Sequence, residues 1–209
     1  MASTRQRKSF GYLMRFITLT FLILLTLAGS SCGLFGPRDE TAEAAKLVQE
    51  ANKDLREIKK LYEASEGDVD KPGKRVQLKQ ALEANDEAQV KKIADEVNFL
   101  IVDGMNYAKT AIEKIQQAQE LNISDEYKEY LNLKELALKK QVDAFEQYRQ
   151  ASRSLRDNYD PQNDAVRAKV KVEFDERTDK YRQLMEDARD FSSQANELAK
   201  DAIRKESKQ

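Results

Sequence analysis

The stretch Val170–Ala202, VKVEFDERTDKYRQLMEDARDFSSQANELAKDA, carries its apolar side chains at Val170, Phe174, Tyr181, Leu184, Ala188, Phe191, Ala195, Leu198 and Ala202. Steps of three and four residues put all of them on one face of an α-helix. One register holds over almost five heptads, and only Arg177 interrupts it. An arginine on such a stripe makes a buried polar contact, marks an interface, or packs its stem while its charge reaches water. A stripe this long must be covered by other helices. Upstream, Asp160-Pro161 offers an N-cap acid followed by proline at the first helical position, so the helix is expected from there to about Lys205.

The preceding segments repeat the pattern. Leu131, Leu138, Phe145 and Tyr159 lie on a seven-residue repeat with Ser152 at the remaining step, and Val142, Tyr148 and Leu155 widen the stripe. Ser124 is the expected N-cap of that helix, with Asp125 and Glu126 in its first turn. Before it, a helical region runs from about Lys74 to Leu121, with a candidate break at Asn85-Asp86, where Asp86-Glu-Ala-Gln89 fits a capping box. Its stripe is Ala94, Val97, Ile101, Gly104, Ala108, Ala111, Ile115 and Ala118, mostly small residues that let a neighbour approach closely. The dense apolar patch Phe99–Val102 is expected at mid-core. The first helix is expected from Arg38 to Ala64, capped by Asp39 or Thr41, with Ala44, Val48, Ala51, Leu55, Ile58 and Tyr62 inward. Residues 65–73 form the clearest loop. Beyond residue 37 the chain has only Gly67, Gly73, Gly104, Pro72 and Pro161 as breakers, and no alternation long enough for a strand. These features predict an all-α fold. It is an elongated up-down bundle of about four long helices with coiled-coil-like packing, roughly 50 Å long at a rise of about 1.5 Å per residue.

The N-terminal segment is of another kind. Arg5, Arg7, Lys8 and Arg15 precede a 13-residue apolar run from Phe16 to Ala28, followed by Gly29-Ser30-Ser31 and the single cysteine, Cys32. A basic region, a short apolar core and small residues make a secretory signal peptide. Gly29-Ser30-Ser31-Cys32 resembles the lipobox of bacterial lipoproteins, although Gly29 stands where that motif favours leucine. The resemblance implies a diacylglycerol thioether on Cys32, cleavage before it, and fatty acylation such as palmitate on the new amino terminus. The expected organisation is therefore a cleaved signal at 1–31, a lipidated tether at 32–39, and a helical domain at 40–209. Two alternatives stand beside it. Phe16–Phe35 is 20 residues without charge, enough for an uncleaved single-pass helix. A lone cysteine can also be an ordinary thiol that pairs between chains. In lipoproteins of two-membrane cells, a residue other than aspartate after the cysteine favours the outer membrane. Gly33 implies that location facing the periplasm, or the outer face of the cell membrane in a one-membrane cell.

Removing residues 1–31 takes four of the 36 basic residues and none of the 37 acidic ones, leaving 178 residues with a net charge of −5. An evenly mixed, mildly acidic surface argues against nucleic acid. The chain has no histidine, which excludes Ser-His-Asp and Cys-His catalysis and histidine-ligated metals. Asp68-Val69-Asp70 begins like a calcium loop, but Pro72 and Lys79 occupy its fifth and twelfth positions, so it reads as a solvated turn. Asp157, Asp160 and Asp164 read as caps and turn residues. Tyr62, Tyr107, Tyr127, Tyr130, Tyr148, Tyr159 and Tyr181 serve either as packing or as a recognition surface. The sequence thus predicts no catalytic residues, metal or cofactor. The expected role is that of an exported, membrane-anchored binding or scaffold module for another envelope protein, with homo-oligomerisation open. The alternative is carriage of a small or lipidic ligand between helices. A closed apolar cavity would favour carriage, and an exposed apolar seam would favour a protein partner.

Overall fold

The reciprocal pair of hydrogen bonds between Glu40 and Asn122 shows how the helices are assembled. Glu40 N–H donates to the Asn122 carbonyl at 3.1 Å, and Asn122 N–H donates to Glu40 Oε2 at 2.8 Å. The first helix thus begins beside the end of a later one and must run antiparallel to it. The computed structural model describes residues 39–68 and 71–206. The expected signal segment, Cys32 and the spacer after it fall outside that range. Among the described residues there are five helices: α1 (Thr41–Glu66), α2 (Lys74–Glu83), α3 (Glu87–Gln119), α4 (Asp125–Asn158) and α5 (Asp164–Glu206). Between α1 and α2, β1 (Gly67–Asp68) and β2 (Lys71–Pro72) form a two-residue antiparallel ladder, too short to make a sheet of consequence.

The Asn85-Asp86 break is real. Asn85 takes φ 51°, a left-handed conformation that asparagine tolerates better than most residues. Asp86 N–H reaches back to the Ala81 carbonyl at 3.0 Å and Asn85 N–H to Leu82 at 3.2 Å, the Schellman pattern that ends a helix. Asp86 Oδ1 then accepts from Gln89 N–H at 3.0 Å and opens α3. Only half of the capping box forms, because the Asp86 amide is already used by α2. Ser124 caps α4 as expected, accepting from Tyr127 N–H at 3.2 Å.

The last helix starts later than expected. Asp160-Pro161-Gln162-Asn163 closes a turn through Asn163 N–H to the Asp160 carbonyl at 3.4 Å, while Asp160 Oδ1 accepts from Gln162 N–H at 2.9 Å. Proline suits the second position of a turn as well as the first of a helix. Asn163 Oδ1, accepting from Val166 N–H at 3.2 Å, caps α5 instead. At the other end Asp39 Oδ1 accepts from Thr41 N–H at 2.9 Å.

Consecutive long helices pack antiparallel: α1 on α3, α3 on α4 and α4 on α5. Cross-helix contacts fix the registers. Lys114 pairs with Asp54 at 2.7 Å, Gln116 donates to Glu135 at 2.7 Å, Arg156 pairs with Asp95 at 3.2 Å, and Lys140 with Asp187 at 3.0 Å. α2 takes over from α1 against the first turns of α3, held by Lys74–Glu96 at 2.6 Å. One continuous apolar core runs from Ala44 to Leu184. All eight stripe positions of α3 are buried, and Gly104 lies beneath Phe145 and Leu61. The Phe99–Val102 expectation fails in part: Ile101 is buried, but Phe99 is 64% exposed. Three or four apolar neighbours in a row cover most of a helix turn, so they cannot all face inward.

Candidate docking groove

The two ends of the chain's helical order do not meet. Among the described residues α1 and α5 share no interface comparable to those between neighbours. Near the α2–α3 and α4–α5 turns this leaves a groove of about 1100 Å³ between α2 and α5, floored by α4. Leu78, Tyr148, Leu155 and Tyr159 are buried residues that line it, and partly buried Leu82 and Phe174 add to its apolar surface. Val76, 42% exposed, stands on its α2 side.

Aromatic side chains build the inner end. Tyr148 lies 5.2 Å from Tyr181 and 6.3 Å from Phe174 between ring centroids. The Arg75 guanidinium sits 5.6 Å from the Tyr148 ring and 5.8 Å from that of Tyr181, close enough for the ring quadrupoles to attract it. Thr178 also lines the groove. It is buried, and its Oγ1 has no hydrogen-bond partner, a costly arrangement for a hydroxyl.

The lip on α5 is charged and internally paired. Asp164 meets Arg167 at 2.8 Å, Lys171 meets Asp175 at 2.8 Å, and Arg182 pairs with Asp179. On α2, Lys79 faces Glu83 at 3.8 Å. Such exposed pairs hold the surface neutral and add little stability.

Arg177, the residue that interrupts the α5 stripe, makes a polar contact with α4. It pairs with Glu173 at 3.0 Å and donates to Gln150 and, at 3.5 Å, to Gln147. The Ser154 hydroxyl donates to Glu173 at 2.8 Å, and together with Arg177 it holds that carboxyl below its usual range. In the α3–α4 interface, burial pushes the Glu135 carboxyl up, but hydrogen bonds from Lys139, Gln116 and Gln119 outweigh it and the net direction is down. These shifts have structural causes: each group serves a helix–helix contact.

The remaining sequence expectations divide. Tyr148, Tyr159 and Tyr181 are buried, Tyr62 and the stacked pair Tyr127–Tyr130 are half-buried, and Tyr107 is 38% exposed, so the tyrosines mostly pack. Asp157 pairs with Arg156 at 2.7 Å and Asp164 with Arg167, which makes them surface and turn residues. Among the described residues no group of acids gathers as a metal site. No described helix is long and apolar enough to cross a membrane. Cys32, the sequence-predicted lipid attachment site, lies outside the described residues.

The groove itself escapes a reading of core stripes. A second spacing could have flagged it: Asp164, Ala168, Lys171, Asp175, Thr178 and Arg182 follow steps of four and three on the flank of α5. No family model, curated protein or solved structure matches the chain.

Proposed function

We propose that this is a lipid-anchored cell-envelope protein whose helical bundle is a non-catalytic docking or scaffold module. Cys32 is the attachment point, and the groove between α2 and α5 is the surface offered to a protein partner. The observation that carries the docking reading is the groove's form. It is an open slot with an apolar floor and a lip of oppositely charged pairs. Helical segments bind in such slots by laying an apolar face on the floor. Carriage of a small or lipidic ligand would call for an enclosed apolar chamber.

The bundle also supplies a spacer. The chain enters at Asp39, beside the α3–α4 turn, and the groove lies toward the opposite turns. The 26 residues of α1 alone cover roughly 39 Å at about 1.5 Å per residue. A tether at residues 32–39 therefore fixes one end and offers the other. Confinement near a surface raises the effective concentration toward partners in the same envelope.

The test places a photo-crosslinking side chain at Val76 in the groove and, as a control, at Phe99 on the outer face of α3. The proposal expects a discrete polypeptide adduct from position 76, absent from position 99 and diminished by Cys32→Ser. Equal adducts from both positions, or a small-molecule adduct alone, would contradict it.

A further inference from the structure

The flank of α5 that forms the groove lip carries its charges in a symmetric order. Asp164, Ala168, Lys171, Asp175, Thr178 and Arg182 make a strict heptad stripe, separate from the stripe that packs on α4. It spans roughly 27 Å at a helical rise of about 1.5 Å per residue. Measured from Glu173, its members fall in pairs equally distant on either side: Lys171 with Asp175, Ala168 with Thr178, and Asp164 with Arg182. Each charged pair is opposite in sign, and the uncharged pair is small.

We propose that the groove takes a second copy of this chain, with the two α5 helices antiparallel about a twofold axis that passes between Lys171 and Asp175, at the level of Glu173, whose own side chain faces α4. This rests on the reading of the groove as a docking surface and names its occupant. Laid antiparallel about that axis, each Lys171 faces an Asp175 of the other copy and each Asp164 faces an Arg182. The exposed, small Ala168 lies between them opposite the position where Thr178 is already buried in its own chain, so no bulky side chain holds the backbones apart there. A parallel, in-register pair would set Asp164, Lys171, Asp175 and Arg182 against themselves, so the charges reject that arrangement as well as favour the other. The interface is isologous, the commonest kind for soluble oligomers.

The four charges are already paired within each helix and lie in water, so exchanging partners sets register more than strength. Affinity comes from covering the partly buried Phe174 and Leu82 and the exposed Val76. In this pair the two Asp39 ends point in opposite directions.

The test uses the full chain extracted in detergent, with its mass in solution followed across concentration. Lys171→Glu and Asp175→Lys are expected to weaken the dimer by at least about tenfold each, and the double variant K171E/D175K to recover it, because the swap restores opposite signs across the axis. Both side chains are exposed, so the fold is retained in all three. A wild-type chain that stays monomeric to about 100 μM, or a double variant no better than either single one, would overturn the inference. The crosslinker at Val76 separates this from the broader reading. An adduct of two chains of this protein supports both, an adduct with another polypeptide overturns the second-copy assignment alone, and a lack of any polypeptide adduct overturns both.

Discussion

Along α4 two leucines are equally inaccessible to solvent, yet they sit in different surroundings. Leu131 lies in the half, here the closed one, where α3 packs between α1 and α4, and Leu155 lies under the groove between α2 and α5. In the closed half, small residues on α3 (Gly104, Ala108, Ala111, Ala118) are all buried and let the neighbours approach closely, Phe145 and Leu61 over Gly104 among them. At the groove end α2 is only 10 residues long, and α5 turns a charged flank toward it, so the slot stays open. Closure in this fold depends on what the second face of each outer helix carries. The stripe that binds it to its nearest neighbour does not decide it.

The largest expected effects come from removing those leucines. Leu131→Ala should cost roughly 4 kcal/mol and Leu155→Ala about 2 to 3, because a cavity beside an open groove relaxes more easily than one in a closed core. Urea titration of both variants reads the difference. Equal costs would break the distinction between the two regions.

Acid titration comes next. Glu135 in the closed half and Glu173 near the groove both have carboxyls held below the ordinary value of 4.5. Their stabilisation is fully present above that value and is lost as the pH falls through the lower folded one. Glu135→Gln and Glu173→Gln should each flatten the loss of stability below about pH 4.5, because the amide has no charged form to lose on acidification. Thermal unfolding across pH measures it.

Two substitutions of small size sharpen the contrast. A Cβ at Gly104 would sit 3.5 Å from Phe145, an ordinary contact, so Gly104→Ala should stabilise by up to about 1 kcal/mol through helix propensity. Thr178→Val removes the unpartnered hydroxyl in the groove wall and should also gain about 1 kcal/mol. Destabilisation by the first would show that the closed half has no room left. On the outer face of α3, Phe99→Ser should change stability by no more than about 0.5 kcal/mol.

Much of this was legible in the sequence because helical periodicity is a statement about faces. The α3 stripe from Ala94 to Ala118 is buried at every position that spacing selected. Local density of apolar residues was a poorer guide, since Phe99 falls between stripe positions and points to water. At the start of α5, Asp160-Pro161 satisfies a turn and a helix start equally well, and Asn163 settled the competition by capping the helix three residues later. The Glu40–Asn122 bonds and the groove depend on which helices stand beside which, information that no single helix contains. The anchor rests on the basic residues 5–15, the apolar run 16–28 and Gly29-Ser30-Ser31-Cys32, all outside the described bundle.

The intact mass of the protein extracted from membranes tests that account most directly. A chain that begins at Cys32 and carries the added mass of a diacylglycerol, with or without a further fatty acid, is the predicted result. A chain that still begins at Met1, with the mass of its unmodified sequence, would contradict it and leave the bundle without its tether.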